Sequence, residues 1–255
     1  GLVDRIAYED ELPAIIRAGN TALKVKIAKH YGKKKVDTDF SGFSGFIKMM
    51  NLMAGAEGSK RSSSKPKIAV VYAQGAITTG PSTSDLFGSS VLGSDTIVKA
   101  LEKVKDDASV KAVVLRVDRP GGSALASDLM WRAVEQIKET NKPVIVSMGD
   151  VAASGGYYIS MGADRIFAEP TTITGSIGVI GGKVALKGLY EKVGVTTTVI
   201  SRGKHTGVNS SLDLFSPSER EAMQKSLDEV YEQFTRKAAE GRGMSQDRLK
   251  ELAGG

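Results

Sequence analysis

The sequence runs to 255 residues, 41% hydrophobic and 25% charged, the balance of a globular chain with a buried core. It has no cysteine and only two histidines, His30 and His205, which excludes disulfides and thiolate metal sites and argues against a histidine-built metal site. The formal charge of +6 is uneven: residues 1–65 hold 12 Lys/Arg against 7 Asp/Glu, and the remaining 190 hold 23 against 22. The basic excess therefore belongs to the N-terminal segment, and the rest shows no basic face with aromatic partners of the kind nucleic acid requires. No apolar run reaches the roughly 18 residues of a membrane span, so if the whole protein is exported or anchored, the signal lies outside these residues.

In chain order, Glu9 to Lys29 reads as a helix, followed by the basic run Lys33-Lys34-Lys35. Phe40, Phe43, Phe46, Ile47, Met49, Met50, Leu52 and Met53 form an apolar cluster, for which packing on the main domain is favoured over a substrate surface or a membrane interface. Gly55 to Pro66 has linker composition, which sets a domain boundary near Lys65. From Lys67 onward strands and helices alternate. Ile68–Tyr72 is a strand, Thr78–Gly93 a Gly/Ser/Thr-rich loop and Ser94–Val104 a helix. Val110–Val117 is a strand, Ala124–Thr140 a helix and Pro143–Ser147 a strand. Ser154–Gly162 is a helix and Arg165–Phe167 a short strand. Lys183–Val193 is a helix, Thr196–Ile200 a strand, and Ser218–Glu240 and Ser245–Ala253 are helices. Alternation at this spacing predicts an α/β fold with parallel strands and flanking helices.

Chemistry concentrates at three turns. In Met148–Gly178 an apolar strand runs into Ala152-Ala153-Ser154-Gly155-Gly156 and then a helix. A serine there, among residues with almost no side chain, suits a nucleophile that a substrate carbonyl can approach; it equally suits an ordinary helix N-cap. The second turn, Asp118-Arg119-Pro120-Gly121-Gly122-Ser123, follows the preceding strand and offers backbone amides unobstructed by a Cβ. Two such turns side by side would pair a serine with oxyanion donors. A phosphate loop is the weaker reading, since neither GxGxxG nor GxxxxGK[ST] is present. The third turn, Thr171–Gly178, is rich in hydroxyls and carries Ser176; its hydroxyls could equally satisfy one another. A serine nucleophile needs a base, and the loop Ser201–Thr206 offers His205 and Lys204; a lysine serves only if it is neutral.

RPGGSA at Arg119–Ala124, MGDVAASGGYYIS at Met148–Ser160 and TTITGSIGVIG at Thr171–Gly181 occur in that order. Together they resemble the signal peptide peptidase A (SppA) family of serine proteases, over Lys67 to Gly255. The resemblance implies a fold of the ClpP/crotonase class and a Ser/Lys dyad. Within it Ser154 matches the nucleophile, and Gly122, beside Gly121, and the amide of Gly155 match the oxyanion donors. Ser176 matches the serine that hydrogen-bonds the catalytic lysine. The base departs from the pattern: where single-length members carry the lysine of Gly-x-x-Lys, this chain has Thr206, and Lys204 stands two residues early. In double-length members the first copy supplies the lysine and the second the serine, and Gly1-Leu2-Val3-Asp4 resembles the end of a first copy. Residues 1–65 are thus expected to be the tail of a preceding repeat plus a linker, and 66–255 the protease domain. The implied partners are signal peptides and similar apolar chains, and further copies in a homo-oligomer. Membrane association through a segment outside this chain is also implied, at the extracytoplasmic (periplasmic) face of the inner membrane. No metal, nucleotide or other cofactor is implied.

Overall fold

The computed structural model describes residues 6–17, 65–84 and 90–254. The chain divides into two compact units, Gly1–Ser62 and Ser63–Gly255. In the first, a 3-10 turn over Glu9–Glu11 leads into helix α1, Leu12–Arg17. The Tyr8 amide donates to the Glu11 carboxylate at 2.8 Å, closing the turn. The rest of the helix expected through Lys29 and the Phe40–Met53 cluster lie outside the described residues, as does the linker up to residue 64.

The second unit is built on one parallel sheet. Its strands are β1 (Lys67–Gln74), β5 (Val110–Arg119), β6 (Val144–Ala153) and β7 (Arg165–Phe167), in the order β1-β5-β6-β7. A further strand, β8 (Ile173–Gly175), pairs with β6. In β5 the period-2 pattern turns Val113, Leu115, Val117 and Arg119 to the buried side. They meet helices α2 (Ser94–Asp106) and α3 (Ala124–Lys138), which pack on each other. Ile97 and Leu101 of α2 and Met130, Val134 and Ile137 of α3 complete this core, at the 3–4-residue spacing of an amphipathic helix. Each such side chain, fully buried, contributes about 1.5–3 kcal/mol. On the opposite face β1 leaves Ile68, Val70 and Tyr72 exposed.

Four elements depart from the sequence expectation. The stretch 78–93, expected to be a loop, contains part of a small sheet: β2 (Ala76–Thr78), β3 (Thr83–Ser84) and β4 (Ser90–Gly93), with β4 central. Strand β6 runs six residues beyond Ser147, to Ala153. Its first half pairs with β7 and its last three residues with β8, so the third polar turn contains a short strand. The run Met148-Gly149-Asp150-Val151-Ala152-Ala153 shows no apolar–polar alternation, and the pairing is decided by neighbours. A register shift between Val117 and Arg119 is bridged by the Asp118 carboxylate, which accepts from the Val151 amide at 3.2 Å. Finally, Thr196–Ile200 forms no strand and Ile200 is 96% exposed. A strand needs a neighbour for its backbone groups, and among the described residues none pairs with this segment. The helix expected at Lys183–Val193 is confined to α5, Lys187–Lys192.

The C-terminal helices are α6 (Pro217–Arg242) and α7 (Gln246–Ala253). Ser216 and Glu219 form a reciprocal capping box, with Pro217 in the first turn, and Gly243 closes α6 in the left-handed conformation at φ 65°. Backbone and side-chain hydrogen bonds from Ser216 hold the Glu219 carboxyl below the usual carboxylate range. Phe234, Ala238 and Ala239 of α6 and Leu249 of α7 form a second core with Tyr158 and Met161.

Candidate active site

Strands β5, β6 and β8 are parallel neighbours and end at one edge of the sheet, where open parallel sheets carry their sites. Register does the positioning. Ala153 pairs with Gly175, so Ser154 and Ser176 follow side by side, and the Ser154 amide donates to the Gly175 carbonyl at 2.8 Å. Arg119 pairs with Ala152, which brings the Pro120-Gly121-Gly122 turn alongside.

Ser154 occupies the N-cap position of helix α4, Gly155–Ser160, yet its side chain makes no capping hydrogen bond. Its backbone sits at φ 49°, ψ −117°, a conformation that costs a non-glycine residue of order 1–3 kcal/mol. An N-cap is ordinarily extended, with its oxygen bonded to the first amides, as Ser123, Ser216 and Ser245 are here. Ser154 has the strain of an elbow and keeps its hydroxyl out of the cap. Ser176 has the same φ, 49°.

Close approach explains the glycines on either side. A Cβ on Gly121 would lie 2.9 Å from the Gly155 nitrogen and 3.2 Å from Ser154 Oγ, and Gly121 itself has φ 118°. A Cβ on Gly155 would meet Ser127 Oγ at 2.5 Å. The turn is therefore pressed against the serine, with the Gly155 amide beside it. Gly122 is bridged to Ile77 of β2: the Ile77 amide donates to the Gly121 carbonyl at 2.9 Å, and the Ser123 amide donates to the Ile77 carbonyl at 3.0 Å.

A cavity of about 720 Å³ opens over these groups. Ser154, Gly155, Gly122 and Ser176 line it on one side, and Val179, Ile180, Val230 and Phe234 supply apolar wall. The structure thus gathers five of the seven candidate residues: four line the cavity and Gly121 packs against Ser154, while His205 lies exposed in the 203–209 turn outside it. Lys204 is not brought in. It lies exposed in the 203–209 turn and lines no part of this cavity.

Sequence reading overlooked two groups. The first is the wall from α6, some 75 residues downstream, whose long amphipathic pattern carries no local sign of where it docks. It is fastened by Asp128 of α3, which accepts from Tyr158 Oη at 2.6 Å, from Gln233 Nε2 at 2.9 Å and from Lys237 Nζ. Lys237 is nearly buried, lying 3.9 Å above the centre of the Trp131 ring. Burial pushes its ammonium down in pKa, and the hydrogen bond to Asp128 opposes that. The second is Arg119, 1% exposed beneath the glycine turn. Extending the Val113, Leu115, Val117 alternation by two residues marks it as inward-facing. Its Nη2 donates to the carbonyls of Gly75 and Gly121, the latter at 3.3 Å, while Nε and Nη1 find no partner among the described residues. Burial lowers its pKa to about 10, so it stays cationic at neutral pH.

These features define the class: an α/β protein with a serine-centred site where its parallel strands end. The profile of Peptidase family S49 matches residues 136–255. "Serine protease SPPA, chloroplastic" of Arabidopsis thaliana is 38% identical over 256 residues, covering 100% of this chain and 35% of that protein. "Protease 4" of Haemophilus influenzae is 40% identical over 189 residues, 74% of this chain and 30% of that protein. "Putative signal peptide peptidase SppA" of Enterococcus faecium is 32% identical over 243 residues, 94% of this chain and 70% of that protein. The chain belongs to peptidase family S49, among the SppA proteins. It spans about a third of the length of the first two relatives. A solved structure, a point mutant of ClpP1 from Listeria monocytogenes, is similar over 72% of this chain and 77% of that one, with a TM-score of 0.40 and 15% identity.

Proposed function

We propose that this chain carries the nucleophile and oxyanion hole of a serine endopeptidase that hydrolyses signal peptides and similar apolar peptides through a Ser/Lys dyad. The observation that carries the reading is Ser154: strained at φ 49°, free of the cap hydrogen bond its position invites, and facing a cavity with an apolar wall. In the proposed reaction a neutral lysine takes the Ser154 hydroxyl proton as Oγ attacks the scissile carbonyl. The amides of Gly122 and Gly155 hold the oxyanion. Collapse expels the amine, which leaves with the proton from the lysine, and water then hydrolyses the acyl-enzyme along the same path in reverse. Ser176, adjacent to Ser154 in register, steadies the lysine. The lysine itself comes from a preceding copy of the fold, since Thr206 stands where this copy would carry it. The working protein is a homo-oligomer tethered to a membrane by a segment outside this chain and acts at the extracytoplasmic face.

Labelling by a serine-directed fluorophosphonate tests this. The full-length protein is expected to label at Ser154, and the 255-residue chain alone to label weakly or not at all. Labelling of the isolated chain that Lys204→Ala abolishes would instead make Lys204 the base. Absence of label on Ser154 in the full-length protein would refute the nucleophile and leave a non-catalytic binding copy.

A further inference from the structure

Arg119 is costly where it lies. A buried guanidinium with two unmatched donors lowers stability, and an apolar side chain of similar volume is ordinarily neutral or stabilising in its place. Its one set of hydrogen bonds runs to backbone, and one acceptor is the Gly121 carbonyl, which also accepts from the Ile77 amide. That carbonyl is held from two sides. The peptide bonds are trans, so the Gly122 N–H points opposite to it, off strand β2. Gly122 lines the cavity with Ser154. A cation at the carbonyl oxygen also draws electron density through the amide, which strengthens the N–H as a donor in a low-dielectric surrounding. We propose that Arg119 is a positioning residue, whose guanidinium locks and polarises the Gly121–Gly122 peptide so that the Gly122 N–H serves as an oxyanion donor opposite Ser154. This rests on the reading of Ser154 as nucleophile.

The test compares Arg119→Met and Arg119→Lys with the wild type in the full-length protein. Four quantities are measured: the fluorophosphonate labelling rate, kcat and KM on an apolar peptide, affinity for a peptide boronate that forms a tetrahedral adduct, and Tm. For Arg119→Met, kcat is expected to fall roughly 10–100-fold with KM changed less than about 3-fold, below the loss from deleting a donor outright. Boronate affinity is expected to fall in parallel, while Tm stays level or rises. Arg119→Lys, which keeps the charge and a donor, is expected to recover part of the loss. The proposal is overturned if Arg119→Met keeps kcat and boronate affinity within about 2-fold of wild type. It is equally overturned if activity falls only in step with lost Tm and Arg119→Lys does not recover it, because that is how a structural residue behaves. A wild type that labels at Ser154 while the variants match it refutes Arg119 alone; a wild type that does not label refutes the nucleophile first.

Discussion

Gly121→Ala is the sharpest probe of the site. Gly121 has φ 118°, outside the range an L side chain adopts readily, and the new methyl would sit 2.9 Å from both the Gly155 nitrogen and Ser154 Cβ. Neither contact is the far end of a flexible chain, so neither can swing away. Strain of order 1–3 kcal/mol and overpacking of similar size together predict a loss of about 2–5 kcal/mol. For a unit of this size that lowers Tm by roughly 5–15 °C. The same displacement moves the turn off Ser154, so labelling of the folded fraction should slow by about 100-fold or more, the scale of a lost oxyanion donor. Thermal denaturation and fluorophosphonate labelling at a temperature well below the variant's Tm separate the two effects. Gly178→Ala is the control, since it lines the same cavity but a Cβ there meets nothing within 4 Å, and its Tm should not change. A Gly121→Ala protein with wild-type Tm and labelling rate would refute the close packing of turn and serine.

Two further outcomes follow from the same geometry. Ser154→Gly should abolish labelling while raising stability by about 1 kcal/mol, because glycine relieves the strain at φ 49°; a lower Tm would mean the elbow is not strained. Asp128→Ala should cost about 3–5 kcal/mol in denaturant unfolding, because it strips the hydrogen-bonded carboxylate from nearly buried Lys237. The double variant Asp128→Asn, Lys237→Met should recover most of that loss, and equal losses in both would show that the charge pair is not what fastens α6.

Local chemistry was legible in the sequence and assembly was not. The strand–helix alternation from Lys67, the glycine turn at Pro120–Gly122 and the serine between strand and helix all follow from short-range rules: period-2 burial in strands, 3–4-residue spacing in helices and φ freedom at glycine. The strand expected at Thr196–Ile200 did not form because its residues have β-propensity but, among the described residues, no neighbour, and strand formation depends on a neighbour. The continuation of β6 through Met148–Ala153 was hidden for the converse reason: its residues carry no alternating pattern, and β5 and β8 impose the strand on them.

The sequence by itself determined that a serine stands at a strand–helix junction among glycines, because those residue types can form only a few turns. Tertiary structure decided what that serine is. The register of β6 on β8 set Ser154 beside Ser176, and the register on β5 brought Gly121 against it. Helix α6, held by Asp128, closed the apolar wall. Whether a helix-capping residue caps or stands free depends on the φ its neighbours enforce, and at Ser154 those neighbours come from the ends of two other strands, β5 and β8.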